Sequence, residues 1–493
     1  MIIPIRKATD CSSSQISGNT EIMEIVDSSP LDKMFNAQKA AFMANPMPSA
    51  KERISHLKTL ENGLMKYRKK LTNALDDDFG CRSEDESLLA EIIPAVENIR
   101  YIRKHVKKWM KPSPRKVGML FQPAKAMVIY QPLGVVGIIT PWNYPLYLSV
   151  GPLAGILGAG NRSMIRMSKN TPATADVLKN MFQEFFDEDH VTVMTGDEGS
   201  GSAFSGKPWD HLVFTGSTEV GRLIMRAASS NLTPVTLELG GKTPAIINDK
   251  FPMKEAVLPI AFGKIFNMGQ TCVAPDHVLC PRLRINEFVE HFKKSVKKMF
   301  PTMLNNPQYT SIINSQEYER LQEMVADARS KGAEIISVNP AGENFENTRK
   351  MPVTLILNTT DEMKVMQEEI FGPLLPILPC DSLHEAVNFV NNRPRPLALY
   401  YFDYNQENID YVLTHTHSGG VLINDTLAHV PQDDLPFGGI GESGMGQYHG
   451  HEGFLAFSKA KGVMMKSRIN SGKLVYPPYG NIVHRLAYKL FLK

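Results

Sequence analysis

The sequence is poor in cysteine, with five in 493 residues at positions 11, 81, 272, 280 and 380. The number is odd and none stands in a C-x-x-C pair, which argues against a disulfide framework and a zinc site. A reducing cytoplasm is the compartment this suggests. No apolar run reaches the roughly 18 residues that a membrane span needs. The nearest, V-V-G-I-I-T-P-W-N-Y-P-L-Y-L-S-V-G-P-L-A-G-I-L-G-A-G, is broken by Pro141, Pro145 and Pro152. The start, M-I-I-P-I-R-K-A-T-D, turns polar after five residues and lacks the apolar core of a signal peptide. Charge of either sign is not in excess: the net +3 argues neither for nor against a polyanionic partner. The one basic run, Arg103 to Lys111, reads as a solvated helix end, where cations suit the dipole. No nucleic-acid motif or aromatic platform accompanies it, so no nucleic-acid partner is expected.

Nucleotide and metal motifs are missing in their usual form. No G-x-G-x-x-G follows a strand. G-S-T-E-V-G-R (Gly216 to Arg222) has P-loop spacing, but Arg222 and Leu223 replace the Lys and Ser/Thr. G-G-K-T (Gly240 to Thr243) has the P-loop tail, but Thr236 stands where the first Gly belongs. The pairs His415/His417 and His449/His451 have no third ligand in view and read as surface or packing histidines, so no metal is expected.

What is present is an ordinary globular composition. It is 43% hydrophobic and 21% charged, which places the chain with soluble proteins long enough for two or three domains. Residues 1–30 read as a loose polar tail. Leu31 to about Trp109 reads as helical: Leu57, Leu60, Leu64 and Leu71 recur at helical spacing, and another helix is expected over Asp85 to Met110. K-P-S-P-R-K then breaks helix, and M-V-I-Y-Q-P-L-G-V-V-G-I-I-T reads as a β-hairpin or a pair of strands. From Pro145 to about Asp249, helices alternate with the short apolar strands S-M-I-R-M, V-T-V-M-T, H-L-V-F-T and P-A-I-I-N. That alternation argues for an open parallel α/β sheet of dinucleotide-binding type. A second helix–strand series runs from about Lys250 to Asp434, with strands V-T-L-I-L, L-P-I-L-P, L-A-L-Y-Y-F and G-V-L-I-N. At the end, Ile482, Leu486 and Leu490 share one helical face and Arg485, Lys489 and Lys493 another. Such a helix packs on its own domain or on a dimer partner; the alternative is attachment to an anionic membrane surface.

Three side chains carry the chemistry. Cys272 ends F-N-M-G-Q-T-C, Glu238 lies between leucines in T-L-E-L-G-G-K, and Asn143 lies in P-W-N-Y-P. Alone, each has a plain explanation: a core thiol, a structural ion pair, a turn residue. Together they form an acyl-transfer set. A thiolate attacks a carbonyl carbon, an amide donates to the oxyanion, and a carboxylate takes a proton from water. At neutral pH a free thiol is only a few per cent thiolate, so the site must favour the anion. Backbone amides or a positive cofactor ring would do so. The other four cysteines sit in no such context and read as structural. Burial should raise the pKa of Glu238.

The motifs P-W-N-Y-P, F-T-G-S-T-E-V-G (Phe214 to Gly221), L-E-L-G-G-K (Leu237 to Lys242), G-Q-T-C (Gly269 to Cys272), E-E-I-F-G-P (Glu368 to Pro373) and P-F-G-G (Pro436 to Gly439) occur in that order. In this the chain resembles the aldehyde dehydrogenase superfamily from about Leu31 to Lys461. R-P-R-P-L-A-L-Y and G-M-G-Q-Y-H-G-H-E-G-F point to its class 3 branch. The resemblance implies an α/β fold with an open parallel-sheet dinucleotide-binding domain (residues 1–112 and 133–240) and an α/β catalytic domain (241–440). It also implies a small β oligomerisation element (113–132 and 441–465), followed by a tail (466–493). It implies oxidation of an aldehyde, aromatic of coniferyl type or long-chain, with NAD or NADP in a cytoplasmic homodimer. Cys272 would be the nucleophile, Glu238 the base and Asn143 the oxyanion donor. Thr140, Trp142, Arg166, Ser168, Lys169, Gly216, Ser217, Gly221, Leu239, Glu369 and Phe371 would hold the cofactor. Tyr144, Thr271 and Phe437, with Phe371 beside them, would line the aldehyde pocket. The chain departs from the family at R-M-S-K (Arg166 to Lys169): Lys169 replaces a Glu that binds the adenosine ribose, which weakens the case for strict NAD use. A thiol hydrolase would share Cys272 and Glu238 but would need none of the cofactor residues and would want a histidine base. A non-catalytic relative would not need the three intact catalytic residues.

Overall fold

The computed structural model describes residues 29–196, 198, 200–468, 472, 473 and 476–492. Most of the polar tail expected over residues 1–30, with Cys11, lies outside them, as do Asp197 and Lys493. Its last two residues are not loose: Ser29 caps the helix Pro30–Ala44, accepting from Asp32 N, and Pro30 opens it. The helix Ala50–Phe79 starts with a Ser49/Glu52 capping box and stops at Gly80, whose φ of 71° is left-handed. Leu57, Leu60, Leu64 and Leu71 line its buried face, as their spacing predicts. The helix expected over 85–110 forms as a continuous run from Glu84 to Trp109, with one π-helical stretch at Leu88–Ile92.

The strands form three sheets. The six-stranded sheet has the order Gly444–Met445, Val235–Leu239, His211–Gly216, Val135–Ile139, Arg162–Arg166, Val191–Met194, parallel except for the two-residue first strand. The seven-stranded sheet runs Glu334–Val338, Val353–Leu357, Leu374–Cys380, His277–Pro281, Pro244–Ile247, Ala398–Phe402, Gly420–Ile423. Only its first strand is antiparallel. Ser113–Arg115, Lys125–Pro132 and Ser458–Met465 make a three-stranded antiparallel sheet. The parallel strands are buried on both faces and therefore read as continuous apolar runs. One face of the six-stranded sheet packs on Phe35, Phe204, Trp209 and Ile224. The larger core covers the other face and continues through the seven-stranded sheet.

Of the hairpin or pair of strands expected over residues 127–140, the structure forms the pair: Lys125–Pro132 joins the three-stranded sheet and Val135–Ile139 the middle of the six-stranded one. Leu133 and Gly134 redirect the chain, both N–H groups donating to Asn161 Oδ1 (2.6 and 2.9 Å). P-A-I-I-N does not close the first alternating series. Its strand, Pro244–Ile247, lies between His277–Pro281 and Ala398–Phe402 in the second sheet, so residues 240–243 carry the chain from one sheet to the other.

The six-stranded sheet has a switch in direction. From Val135–Ile139 the chain adds Arg162–Arg166 and Val191–Met194 on one side, then returns to add His211–Gly216 and Val235–Leu239 on the other. Connections leaving the carboxyl ends of Val135–Ile139 and His211–Gly216 therefore diverge. In open α/β sheets that divergence opens a crevice where ligands bind.

Candidate active site

The crevice collects residues that sequence motifs scatter over 80 positions. Thr140 and Trp142 follow Val135–Ile139, and Arg166, Ser168 and Lys169 follow the neighbouring strand. Gly216 ends His211–Gly216 and hands over to Ser217, the N-cap of the helix Thr218–Ser229. Ser217 Oγ accepts from Val220 N (3.4 Å), and the exposed first turn points its remaining N–H groups outwards. Gly221 lets this helix lie close on the sheet: a Cβ there would stand 2.6 Å from Leu239 Cδ2. Arg166 Nη2 donates to Gly196 O (3.1 Å). Lys169 is exposed, and no described residue pairs with its ammonium. Trp142 stands edge-on to Phe371 at 5.2 Å. Helix N–H groups, two cations and an aromatic slot are a donor set that fits an anionic dinucleotide.

Glu369 reaches this crevice from the second sheet. Its carboxylate lies against Gly240, where any Cβ would collide with it, and the Gly241 N–H donates to it. Burial pushes it up to about 8. Lys242 fixes the approach: Nζ pairs with Asp276 Oδ1 (2.5 Å) and donates to Val365 O and Glu368 O (both 2.7 Å), while Asp276 Oδ2 accepts from Ile370 N (3.0 Å).

Cys272 is partly buried on a loop with three successive left-handed residues, Asn267 (φ 49°), Met268 (φ 55°) and Gly269 (φ 71°). Two of these are not glycine, so the surroundings must hold the strain. Asn267 Nδ2 donates to Asn143 O (3.2 Å) and Gln270 O (3.1 Å), and Asn143 Nδ2 donates to Gln270 O (3.2 Å). Gln270 Nε2 donates to Asn267 O (3.0 Å) and Ser311 O (3.1 Å). Tyr144 Oη and Thr271 Oγ1 are 2.6 Å apart. The structure thus brings Asn143, Tyr144, Thr271 and Cys272 onto two facing loops. Glu238, next to last in its strand, is 3% exposed, and neither carboxylate oxygen accepts a hydrogen bond from a described residue.

Electrostatics change one expectation. Burial raises Glu238 well above the usual carboxylate range. The chain does not by itself favour a thiolate, however. Burial pushes Cys272 up to about 12, and the Glu369 and Glu238 charges add to that. The N–H groups of Cys272 and Val273 pull the other way and do not compensate.

Sequence reading missed what lies behind these loops. Arg82 and Glu91 form an ion pair (2.7 Å) with both side chains fully buried. Glu91 Oε2 also accepts from Leu146 N (2.8 Å) and Tyr147 N (3.0 Å), at the start of the helix after Asn143. The Arg82 guanidinium faces the Tyr144 ring at 5.1 Å. Glu86 accepts from Asn267 N and Thr310 Oγ1. Lys264, eight residues before Cys272, is also buried, which lowers it to about 7. No sequence signal marks them: the π-helical turn that carries Glu91, a feature often found at functional sites, is invisible in residue spacing. Phe437 is 7% exposed and stacks on His449 at 5.1 Å. His449 is thus buried in packing, whereas His415 and His417 are exposed.

Residues 17–463 match the model of the aldehyde dehydrogenase family. The chain is 57% identical to a Pseudomonas aeruginosa protein named "Probable coniferyl aldehyde dehydrogenase", over 94% of this chain and 96% of that one. It is 44% identical to "Coniferyl aldehyde dehydrogenase" of a Pseudomonas species, over 93% and 95%. Among solved structures, the substrate-bound state of Staphylococcus aureus AldH superposes with a TM-score of 0.89 at 35% identity, covering 94% of this chain and all of that one. The NAD+ complex of an aldehyde dehydrogenase from Bacillus cereus superposes at 0.80, with 26% identity and 88% of each chain covered.

Proposed function

The chain belongs to the aldehyde dehydrogenase family and oxidises aldehydes to acids with NAD or NADP; from that premise we propose that its aldehyde is aromatic, of the coniferyl type, and that Cys272, Glu238 and Asn143 carry the reaction. One observation supports the catalytic roles above others. Glu238 is a buried carboxylate with no partner for either oxygen among the described residues. A structural ion pair would have given it one, whereas a base must keep its lone pairs for the proton it takes.

Cys272 adds through sulfur to the carbonyl carbon. Its high pKa in the chain alone means that its proton must be lost to solvent before it attacks, and the positive charge of a bound cofactor would favour the thiolate. The oxygen of the thiohemiacetal turns to Asn143 Nδ2, which gives one hydrogen to Gln270 O and keeps its second, and to the Cys272 N–H. Bound NAD or NADP would supply a positive charge and an acceptor for the hydride that leaves the thiohemiacetal as it becomes a thioester. Glu238 then deprotonates water, which hydrolyses the thioester. Thr140, Trp142, Arg166, Ser168, Lys169, Ser217, Glu369 and Phe371 would hold the cofactor.

Aromatic residues support the substrate: Tyr144, Phe371 and Phe437 are assigned to the walls of the aldehyde pocket, and two relatives are named for coniferyl aldehyde. The six-stranded sheet is assigned to cofactor binding and the seven-stranded sheet to catalysis. The three-stranded sheet is assigned to pairing of two copies. Its strand Ser458–Met465 is an open edge, and Met119, Phe121, Met464 and Met465 are exposed beside it. The test of the substrate is kcat/KM across aromatic and alkyl aldehydes. Preference for a saturated alkyl aldehyde over every aromatic one would overturn it.

A further inference from the structure

The two groups assigned to the oxyanion stand on different loops. Asn143 follows the strand Val135–Ile139, and the Cys272 N–H follows the left-handed residues Asn267 to Gly269. A donor stabilises an oxyanion only when its hydrogen is aimed at the place the oxygen will take. Whatever holds the two loops in register therefore decides whether both donors act together.

One fully buried side chain joins them. Asn267 Nδ2 donates to Asn143 O (3.2 Å), across 124 positions of sequence, and to Gln270 O (3.1 Å), two residues before Cys272. Two carbonyl oxygens around one atom require that atom to be the amide nitrogen. Asn267 Oδ1 accepts nothing from a described residue, so the amide serves as a donor alone. Gln270 O takes a further hydrogen from Asn143 Nδ2 (3.2 Å), which turns the nitrogen of the Asn143 amide towards the Cys272 loop. A flipped amide would set oxygen against oxygen. Gln270 is itself buried and fixed: Nε2 donates to Asn267 O (3.0 Å) and Ser311 O (3.1 Å), and Oε1 accepts from Ile313 N (2.9 Å). The left-handed backbone does not by itself explain an Asn at 267. Met268 takes the same conformation (φ 55°) with no such side chain, so the amide is there for its bonds.

We propose that Asn267 is a positioning residue for the reaction: it ties the Asn143 loop to the Cys272 loop and so sets the direction of the second Asn143 Nδ2 hydrogen. The inference rests on the reading of Asn143 as oxyanion donor and names what aims it. Both Nδ2 hydrogens of Asn267 are spent on the two loops, so it acts through Asn143 and not on the aldehyde. Removing an oxyanion donor outright lowers kcat by roughly 10²–10³-fold. Leaving the donor present but misplaced costs up to about 10²-fold.

The experiment is a double-mutant cycle on kcat/KM for the aldehyde at saturating NAD or NADP, whichever wild type uses better. Wild type, Asn267→Gly, Asn143→Ala and the double variant are compared, with cinnamaldehyde, or hexanal should cinnamaldehyde not be turned over. Glycine keeps the left-handed backbone and removes only the amide. Asn267→Gly is expected to lower kcat/KM by about tenfold or more in the wild-type background, with cofactor binding by fluorescence titration unchanged. In the Asn143→Ala background the same change is expected to cost less than about twofold, because the donor it aims is already gone. A merely structural role would cost the same factor in both backgrounds, and that equality overturns the proposal. So does wild-type kcat/KM in Asn267→Gly. Should the Gly variant not fold, Asn267→Asp, which keeps the volume and tolerates the positive φ but cannot donate as a carboxylate, goes through the same cycle. An undiminished kcat/KM in Asn143→Ala alone overturns the oxyanion reading of Asn143 itself, and the positioning role falls with it.

Discussion

Replacing Lys169 by Glu should move the enzyme from NADP towards NAD. The ammonium is exposed, unpaired among the described residues, and stands at the carboxyl end of Arg162–Arg166, beside Arg166 and the backbone of Gly196. A carboxylate here would accept hydrogen bonds from ribose hydroxyls and repel a 2′-phosphate, while an ammonium can only donate. Two unit charges 4 Å apart in water interact by about 1 kcal/mol, and a phosphate monoester carries roughly −1.5 to −2. Contact with Lys169 is then worth about 1.5–2 kcal/mol, and reversing its sign swings the energy by about twice that. Salt at physiological strength screens an exposed pair, and halving the swing leaves about 1.5–2 kcal/mol, roughly tenfold or somewhat more in affinity. The assay is kcat/KM for NAD and for NADP, in wild type and Lys169→Glu, with one aldehyde at saturation and ionic strength held fixed. Measurable NADP use by wild type and a ratio shifted about tenfold towards NAD in the variant are expected. A ratio that does not change would show that Lys169 does not read the ribose.

Cys272→Ala should abolish reduction of cofactor while binding of NAD or NADP, followed by fluorescence titration, persists; substantial residual turnover would remove the nucleophile assignment. Glu238→Gln should form reduced cofactor in a burst and then turn over slowly, because hydride transfer precedes hydrolysis, and unchanged steady turnover would exclude Glu238 as the hydrolytic base. The same variant should also alter stability. A carboxylate whose folded pKa is raised holds its proton longer when folded, so stability falls as pH rises above the ordinary value of about 4.3. Glu238→Gln should therefore gain melting temperature over wild type at pH 8 but not at pH 4, and equal shifts at both would contradict the burial argument. The helix Ile482–Phe491 is capped by Asn481, but Ile482, Leu486 and Leu490 are 61% exposed or more, so its apolar face does not pack on its own domain. A dimer partner or an anionic surface is left to cover it. Truncation after Tyr479 should lower dimer content in sedimentation and leave recovery with anionic vesicles unchanged; vesicle binding lost on truncation would favour the membrane surface.

Order and composition made much of this architecture legible. Parallel strands buried on both faces announce themselves as apolar runs, which is why H-L-V-F-T and L-A-L-Y-Y-F were readable. H-V-L-C-P was passed over, because a His at its start and a Pro at its end mask its apolar centre, and Gly240 to Thr243 gave no sign of crossing between sheets. The set of Cys272, Glu238 and Asn143 was legible from motifs. The state of the thiol was not, because a pKa depends on which charges the fold brings near, and Glu369 comes from almost a hundred residues away. Glu86, Glu91 and Arg82 were hidden for the same reason. In sequence they look like the charged side of a surface helix, and only packing shows them to be inside.

That internal charge cluster limits how the enzyme can be altered. Arg82 neutralises Glu91, which holds the segment behind Asn143, while Glu86 fixes the Asn267 peptide that precedes Cys272. Removing one partner of a buried pair strands the other, at a cost of about 3–5 kcal/mol, a large part of a typical domain's margin. Single substitutions here should vanish from any library selected for soluble enzyme, whatever their effect on the reaction, and only paired replacements should survive. A search for new substrates among single mutants should therefore find its free positions outside this cluster.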